Sequence, residues 1–372
     1  MRGRMLHDPA GAQRFLPYGQ RAAEEIYSVS RAALNALLYR LAAERHGVEY
    51  RFEHRCVDVD VATGTPIVAT RTGRVAVEAD IVFAADGAGS EIRRALAAAG
   101  SIEATEELLD HGYKELTIAP TATGDFALEP NALHIWPRGR FMLIALPNPD
   151  RSFTATLFLP NEGAVSFAAL DAESVGEFFN REFADAMPLM PALVRDYAEH
   201  PTGMLGTVTC APWSFKKVLM VGDAAHAIVP FHGQGMNAAF EDCVVLERLI
   251  EAQGSIDACD WPTLFEDFER ARAPNARAIA DMAVENYREM RDEVRDAKFK
   301  LRADLSFELE RRFPGKFIPR YSMVMFHPEI PYAEAQRRGA TQMSILERLT
   351  AGVAALDAVD FRTAAELIDA EL

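Results

Sequence analysis

Two short, wholly apolar runs constrain the fold most, because each ends at a pair of aspartate and glycine and is followed by a helical pattern. Residues 81–85 (IVFAA) lead to Asp-Gly at 86–87, and residues 218–221 (VLMV) lead to Gly-Asp at 222–223. Strands that are apolar on both faces are typical of parallel sheets covered by helices. In such sheets ligands bind beyond the carboxyl ends of the strands. The sequence therefore predicts an α/β fold with a ligand site at these two turns.

The segments around these runs differ in pattern. Residues 102–201 contain short alternating runs separated by turns, which predicts an antiparallel sheet, followed by a helix near Ser174–Phe183. A leucine-rich pattern from Ser30 to His46 predicts a helix, whereas residues 2–17 are polar and turn-rich without a strand pattern. The chain after Trp261 has an almost wholly helical pattern.

We therefore predict three parts. Residues 1–101 and 202–285 form a domain around the parallel strands. Residues 102–201 form an antiparallel-sheet domain inserted into it. Residues 286–372 form a helical C-terminal region.

Composition excludes several classes of protein. Acidic residues outnumber basic ones, 55 to 39, giving a formal net charge of −16, and such a chain would be repelled by nucleic acid. The four cysteines are scattered, without a CxxC pair or a histidine at zinc spacing, which argues against a metal enzyme and favours a reducing cytoplasm. No apolar run approaches the roughly 18–20 residues needed to cross a bilayer, so we expect no membrane anchor. The sequence leaves the oligomeric state open.

The second turn carries the more specific signal. Residues 222–237 combine Gly-Asp, two histidines, a proline and a Gly-x-Gly that opens a helix. The amides of residues 233–236, at a helix N-terminus, would suit an anionic or electron-rich group. By itself the Asp-Gly at 86–87 indicates only a turn with a capping aspartate. His226 is more typical of a histidine satisfied by a backbone partner than of a catalytic group.

Together these segments resemble the single-component aromatic hydroxylases that use FAD and NAD(P)H. Residues 222–237 resemble their second flavin motif, the Asp-Gly at 86–87 their DG motif, and Ser30-Arg31 a helix start near the flavin; Phe268-x-x-x-Arg272-x-Pro274 resembles the helix after the flavin loop. The resemblance implies a Rossmann-like FAD-binding domain, with FAD and NADPH as cofactors. It assigns cofactor binding to Arg31, Asp86, Gly87, Gly222, Asp223, Gly233, Gln234, Gly235, Met236 and Asn237.

Several further stretches are similar to the kynurenine 3-monooxygenase branch of these hydroxylases. They include MRGRMLH at 1–7, EPNALHIWPRG at 129–139, PFHGQGMNAAFED at 230–242, ENYREM at 285–290 and FIPRYSMVMF at 317–326. The resemblance implies hydroxylation of L-kynurenine to 3-hydroxykynurenine. No catalytic side chain is assigned, because the amino group of that substrate activates its own ring.

The same resemblance assigns a substrate site. The carboxylate would be bound by Arg4, Tyr18 and Asn286, with Tyr321 nearby; an arginine fork binds a carboxylate through two parallel hydrogen bonds, and Tyr and Asn add donors. The remaining assigned residues would wall the aromatic ring, although each taken alone also suits an ordinary core. They are Ile26, Leu133, Met142, Ile144, Leu146, Phe158 (or Phe153), Pro230, Phe231 and His232.

The chain departs from the family at one point. It contains no Gly-x-Gly-x-x-Gly, the motif that opens the family's first βαβ unit and binds the ADP half of FAD. We expect that Met1 is an internal methionine of a longer reading frame, or that the gene is shortened. Either case predicts exposed apolar faces, unpaired strand edges, and a protein that aggregates and purifies without FAD. Two alternatives remain: another aromatic hydroxylase, and a non-catalytic fragment.

Overall fold

The computed structural model describes residues 1–21, 23–289 and 297–372. They group into two compact units. The first unit comprises residues 1–38, 109–205 and 287–372, and the second comprises residues 39–108 and 206–286. The predicted ENYREM motif ends at Met290, which lies outside the described residues.

The secondary structure alternates between the two units along the chain. The strands are β1 Gly3–His7, β2 Gln13–Pro17, β3 Arg55–Asp60, β4 Thr65–Thr70, β5 Gly73–Ala76, β6 Val82–Ala84, β7 Glu103–Ile118, β8 Ala132–Pro137, β9 Met142–Pro147, β10 Phe153–Pro160, β11 Gly203–Ala211, β12 Ser214–Phe215 and β13 Val218–Met220. The helices are α1 Arg31–His46, α2 Glu91–Ala98, α3 Val175–Glu182, α4 Leu193–Glu199, α5 Asp223–His226, α6 Gly235–Ala252, α7 Trp261–Arg288, α8 Ala297–Arg312, α9 Arg320–Phe326, α10 Tyr332–Leu349 and α11 Phe361–Glu371.

A seven-stranded sheet has the order β11-β7-β10-β9-β8-β1-β2. Strands β8, β9 and β10 pair antiparallel with one another and β10 pairs antiparallel with β7, which confirms the prediction for residues 102–201. The prediction of no strand in residues 2–17 is wrong. There β1 pairs antiparallel with β2 and parallel with β8. These two strands also place residues 1–38 in the first unit, where the sequence grouped residues 1–101 together.

One face of this sheet carries the main core of the first unit. Leu143, Ala145 and Leu157 alternate with residues of the opposite face, and all three are fully buried. They pack with helices α3 and α4, which contribute Phe179 and Leu193. Because successive side chains of a strand point to opposite faces, one set enters this core and the other set lies on the opposite face of the sheet.

A second core of the first unit forms at the C-terminal end. Leu305 and Leu309 of α8, Ile345 of α10 and Ile368 of α11 are buried together, with Phe317. Helix α11 begins where Asp360 accepts hydrogen bonds from the amides of residues 362 and 363. The predicted helical character of this region is confirmed for its described residues.

The second unit contains the two apolar runs. Strands β6 and β13 pair in parallel, Val218 with Val82 and Met220 with Ala84, as the sequence predicts. The side chain of Ser90 caps α2 by accepting from Arg93 N at 3.0 Å, and Leu96 of α2 is fully buried in the core of this unit. The mixed α/β class is therefore confirmed.

Helix α1 forms over the predicted range without a buried side chain. Its apolar stripe lies at the surface of the described chain: Leu37 is 40% exposed and Leu38 is 43% exposed. Phe83 of β6 is also 41% exposed. Within the described ranges, no helix has the length and apolar character needed to cross a membrane.

Candidate functional site

The two predicted turns lie at the same edge of one sheet. Because Met220 is opposite Ala84 in a parallel pair, the segments that follow β6 and β13 both emerge at the carboxyl end. Val221 N also donates to Ala84 O at 3.0 Å, which extends the pairing to the start of the turns. This is the edge at which ligands bind in open α/β sheets.

The first turn directs its aspartate toward a helix. Asp86 Oδ2 accepts from Glu91 N at 2.9 Å and from Ile92 N at 3.4 Å, in the first turn of α2. The Asp86 carboxylate therefore caps α2, as the Asp-Gly pattern alone indicates, and its binding of the cofactor stays a prediction. Gly87 has a φ of +83°, in the left-handed region that favours glycine, and a Cβ placed there would have no atom within 4 Å.

The second turn requires glycine and exposes a carboxylate. Gly222 has a φ of +57°, and a Cβ there would lie 3.2 Å from Cβ of Ala239 on α6. Any other residue would strain the backbone and press on α6. Asp223, which begins the short helix α5, is exposed, and its carboxylate has no hydrogen-bond or ion-pair partner among the described residues. It is thus available to a ligand.

The N-terminus of α6 supplies free amides. The first hydrogen bond into α6 runs from Ala238 N to Gln234 O at 2.8 Å, so the amides of residues 235–237 have no acceptor within the helix. The predicted availability of the Gly233 amide is wrong, because that N–H donates to Pro230 O at 2.9 Å and closes a 3-10 turn. Asn237 Nδ2 donates to Gln234 Oε1 at 2.9 Å, which fixes the side chain of Gln234 at the helix start.

A buried carboxylate that sequence reasoning did not single out holds this loop in place. Asp242 Oδ2 accepts from Gly222 N at 2.9 Å and contacts His226 Nε2 at 2.6 Å, while Asp242 Oδ1 accepts from Arg272 Nε at 2.7 Å. Burial alone would raise the pKa of the Asp242 carboxyl, but the contacts with His226 and Arg272 outweigh it and hold that pKa below its usual value.

This network also decides the role of His226. Its ring stacks on Trp213 with centroids 4.9 Å apart, and its partner is the Asp242 carboxylate rather than the backbone group that the sequence predicts. The available signal was the spacing within residues 230–242, which places an aspartate two turns into α6, on the side that faces the loop.

In the first unit, an arginine lies beside two tyrosine rings. The guanidinium carbon of Arg4 is 5.4 Å from the ring centroid of Tyr18 and 4.7 Å from that of Tyr321. The two rings are stacked, 5.7 Å apart and inclined by 13°. Arg4 lies on β1, Tyr18 directly follows β2 and Tyr321 lies on α9, so three elements converge. The structure thus brings together three of the four predicted carboxylate-site residues.

The electrostatics of this cluster favour an anion. Burial opposes the charge of Arg4, but the nearby phenol oxygens of Tyr321 and Tyr18 outweigh it and raise the pKa of Arg4. Burial raises the pKa of the Tyr18 phenol, which keeps it a neutral donor. Tyr18 is 3% exposed, and its hydroxyl has no hydrogen-bond partner within the described ranges. A buried hydroxyl of that kind is suited to a ligand oxygen.

Five of the apolar residues predicted to wall the ring share the face of the sheet that carries Arg4, whereas Phe153, the predicted alternative to Phe158, lies in the core on the opposite face. Arg4 is opposite Leu133 on β8, Ile135 is opposite Ile144 on β9, and Met142 is opposite Phe158 on β10. Directly opposite residues lie on the same face, as do residues two apart along a strand. The predicted residues on this face are Arg4, Leu133, Met142, Ile144, Leu146 and Phe158. It is the face opposite the α3–α4 core.

The other predicted residues lie elsewhere in their own units. Asn286 is 5% exposed in the second unit, where its Nδ2 donates to Phe231 O at 2.6 Å. Pro230, Phe231 and His232 form the 3-10 turn before α6. In the first unit Ile26 N donates to Met1 O at 2.9 Å, and Arg31 is an exposed residue 3.9 Å from Glu115.

The second unit fits a flavin nucleotide in its chemistry. Residues 235–237 offer free amides to an anionic or electron-rich group, Asp223 offers an acceptor for hydroxyls, and Gly222 lets the backbone approach closely. In the part of the chain that the structure describes, no cluster of three or more His, Cys, Asp or Glu side chains is arranged to hold a metal ion.

Known proteins share both the family and the fold of this chain. Residues 13–283 match the FAD binding domain family. Proteins named kynurenine 3-monooxygenase from Myxococcus xanthus and Stenotrophomonas maltophilia are 48% and 46% identical over 376 residues, covering all of this chain and 80% and 81% of theirs. A solved structure of CtdE in complex with FAD and a substrate matches with a TM-score of 0.64 at 15% identity, covering 94% of this chain and 82% of CtdE.

A second solved structure, Klebsiella pneumoniae HpxO complexed with FAD and uric acid, matches with a TM-score of 0.58 at 17% identity, covering 85% of this chain and 78% of HpxO. At such identities the structural matches establish the fold alone. The sequence matches extend across the whole chain and include both turns and the Arg4 strand. The chain belongs to the FAD binding domain family and, within it, to the family of the kynurenine 3-monooxygenases.

Proposed function

We propose that this chain is a FAD-dependent monooxygenase that hydroxylates L-kynurenine to 3-hydroxykynurenine with NADPH and O₂. The observation that carries the proposal is the identity, across the whole chain, to bacterial proteins named kynurenine 3-monooxygenase. The Arg4 cluster supports the substrate class, because an α-amino acid presents a carboxylate that an arginine and a tyrosine hydroxyl bind well.

The substrate would be oriented by one polar anchor and one apolar face. Arg4 and Tyr18 would bind the carboxylate, with Tyr321 packed against the guanidinium. The face formed by Leu133, Met142, Ile144, Leu146 and Phe158 would contact the aromatic ring and keep water from it. Asn286 and the turn at 230–232 are further residues that we propose for substrate binding.

The cofactor would be bound through the second unit. Gly222, Asp223 and the amides of residues 235–237 would hold FAD, with Asp86 and Gly87 at the neighbouring turn. When bound, FAD supplies the redox and oxygen chemistry, and this chain supplies binding and orientation. Asp242 would act indirectly, by holding Gly222 and His226 in place.

The test is a product assay with isotope labelling. The 372-residue chain, which we expect to purify without FAD, is first supplemented with FAD. It is then incubated with NADPH and L-kynurenine under ¹⁸O₂, and the product is analysed by mass spectrometry. We expect 3-hydroxykynurenine carrying one ¹⁸O atom, together with NADPH oxidation that depends on L-kynurenine. Turnover of other aromatic acids in preference to L-kynurenine would contradict the substrate assignment. An absence of both FAD binding and turnover would favour the non-catalytic alternative.

We also propose a cytoplasmic location. Cys56, Cys210, Cys243 and Cys259 are free thiols in the structure, which suits a reducing compartment. A fractionation experiment with a periplasmic marker tests this.

A further inference from the structure

A chain of hydrogen bonds runs through the core of the first unit and includes His7 of β1, the strand that also carries Arg4. Asp185 Oδ2 lies 2.9 Å from His7 Nδ1, His7 Nε2 lies 2.8 Å from His134 Nδ1, and His134 Nε2 lies 2.9 Å from Glu129 O. His7 is 0% exposed and His134 is 1% exposed, so water does not supply missing partners.

The number of protons in this chain follows from its two ends. Asp185 and the carbonyl of Glu129 both accept, so the three gaps need three hydrogens: one on His7 Nδ1, one between the two rings and one on His134 Nε2. Two neutral imidazoles carry only two. If the rings carry only two hydrogens, the lone pairs of His7 Nε2 and His134 Nδ1 face each other at 2.8 Å, or one of the two end acceptors, Asp185 or Glu129 O, loses its donor. The geometry therefore requires a third proton.

The surroundings locate that proton on His7. Trp136 Nε1, which can only donate, also donates to Asp185 Oδ2 at 2.9 Å, so this oxygen accepts at least one hydrogen bond besides its contact with His7. Burial opposes ionisation of Asp185, but the hydrogen bonds from His7 and Trp136 outweigh it and lower the pKa of that carboxyl. Burial lowers the pKa of His134 to about 4, so His134 is neutral. His7 is then an imidazolium paired with the Asp185 carboxylate.

In the described part of the chain, the charged residues that hydrogen-bond to His7 or His134 are Asp185, Glu129 and Arg138. Asp185 lies in the segment after α3, and Glu129 precedes β8. Arg138, at the end of β8, donates from Nη1 to His7 O at 3.0 Å and from Nε to Glu182 O at 2.6 Å. The single cation on the pair is thus balanced by Asp185, and Arg138 is engaged with backbone carbonyls.

We propose that His7 is a positioning residue for Arg4: as an imidazolium shared with His134 and Asp185, it fastens β1 to β8 and so fixes where Arg4 projects. Arg4 and Leu133 are opposite one another, and Met5 and His134 are the next pair along the same strands. His7 projects to the core face and Arg4 to the face with the apolar wall. Loss of the third proton would weaken the attachment of β1 to β8 and so weaken the binding of an anionic ligand at Arg4. The effect on ligand binding rests on the proposed function, whereas the presence of the third proton does not.

The proton is tested first, in the full chain. With ¹⁵N-labelled histidine, we expect both ring nitrogens of His7 to carry hydrogen at pH 7.5, assigned by their loss in His7→Asn. A neutral-imidazole pattern for His7 would overturn the proposal. This measurement requires no folded variant at position 134.

Urea unfolding provides the second readout. In His134→Asn the side-chain amide can donate to His7 Nε2 without an extra proton. Between pH 7 and 8.5 an unfolded histidine is already mostly neutral. As the pH rises through this range, we expect the folding equilibrium constant of the wild type to fall more steeply than that of His134→Asn, by up to about tenfold per pH unit. His200→Asn is the control, because the ring of His200 has one partner among the described residues, Glu115 O at 2.7 Å from Nδ1, and needs no third proton. Parallel pH profiles of the wild type and His134→Asn would overturn the proposal.

Ligand binding then tests the positioning role. Calorimetric titration of the FAD-supplemented chain with L-kynurenine should show affinity at pH 8.5 at least fivefold weaker than at pH 7 in the wild type, and less than twofold weaker in His134→Asn. Ionisation of the ligand itself is the same in both. Equal ratios in the two proteins would refute positioning. No binding by either protein at either pH would contradict the proposed function, while NMR and unfolding still decide the proton.

Discussion

Replacing Asp242 with asparagine isolates the carboxylate that organises the second turn. In the wild type, this group accepts from Gly222 N, from His226 Nε2 and from Arg272 Nε. An asparagine keeps the shape but offers only one accepting atom. If its oxygen faces Gly222, its NH₂ group faces the N–H of Arg272; if it faces Arg272, the NH₂ group faces the N–H of Gly222. At least one buried donor loses its partner in either orientation.

The expected cost follows from that count. A buried donor without a partner costs about 1–3 kcal/mol, and breaking a buried ion pair on one side costs about 3–5 kcal/mol. Glu241 Oε2, 2.8 Å from Arg272 Nη1, retains part of the charge balance. We therefore expect Asp242→Asn to lower the free energy of unfolding by about 3 kcal/mol, measured by urea denaturation at pH 7.

The matched control is Glu241→Gln, which removes the other carboxylate near the same arginine. Glu241 is 39% exposed, so its loss should cost no more than about 1 kcal/mol. The pH dependence of the free energy of unfolding gives a second test. Because the pKa of Asp242 is lowered in the folded protein, its contribution is present above the unfolded pKa and is lost as the pH falls through the folded value. The free energy of unfolding of Asp242→Asn should therefore fall less steeply than that of the wild type as the pH is lowered below the unfolded pKa of aspartate. Equal losses for the two variants would refute the reasoning.

Three further outcomes are expected. Arg4→Met should raise the KM for L-kynurenine more than tenfold with FAD binding unchanged, because a desolvated carboxylate would lose its partner, and Arg4→Lys should recover only part; a change below threefold in steady-state assays would remove Arg4 from the site. Asp223→Ala should weaken FAD binding about 10- to 150-fold in a fluorescence titration, the equivalent of one charge-assisted hydrogen bond, and unchanged affinity would contradict its assignment. Leu157→Ala should cost about 2–5 kcal/mol in urea denaturation, because Leu157 is fully buried in the α3–α4 core; a loss below about 1 kcal/mol would mean that the core collapses around the gap.

Local signals in the sequence were enough for much of the fold. The apolar runs at 81–85 and 218–221 contain the paired strands, and Ser90 and the leucine pattern of residues 30–46 locate two helices. Each of these depends on neighbours within a few residues, which periodicity and capping describe directly.

Long-range pairing was not accessible in the same way. Strand β1 is five residues long and carries Arg4 and His7, so its pattern lacks an apolar alternation. Its partner β8 lies more than 120 residues further along the chain, and that pairing creates the strand. For Asp242, the partner of His226, the sequence signal was its spacing two turns into α6, and its role follows only from the three donors around it in the structure.

The division of β1 between two faces restricts how this segment can change in length. Arg4 and His7 are separated by an odd number of positions, and successive side chains alternate between faces. Deleting or inserting one residue between them would direct both to the same face, so that either a guanidinium enters the core or an imidazole leaves it. A two-residue change would preserve the faces and alter only the length. Among natural relatives and in libraries of deletions, length variation should therefore concentrate in the turn at residues 8–12, and changes inside β1 should occur in pairs.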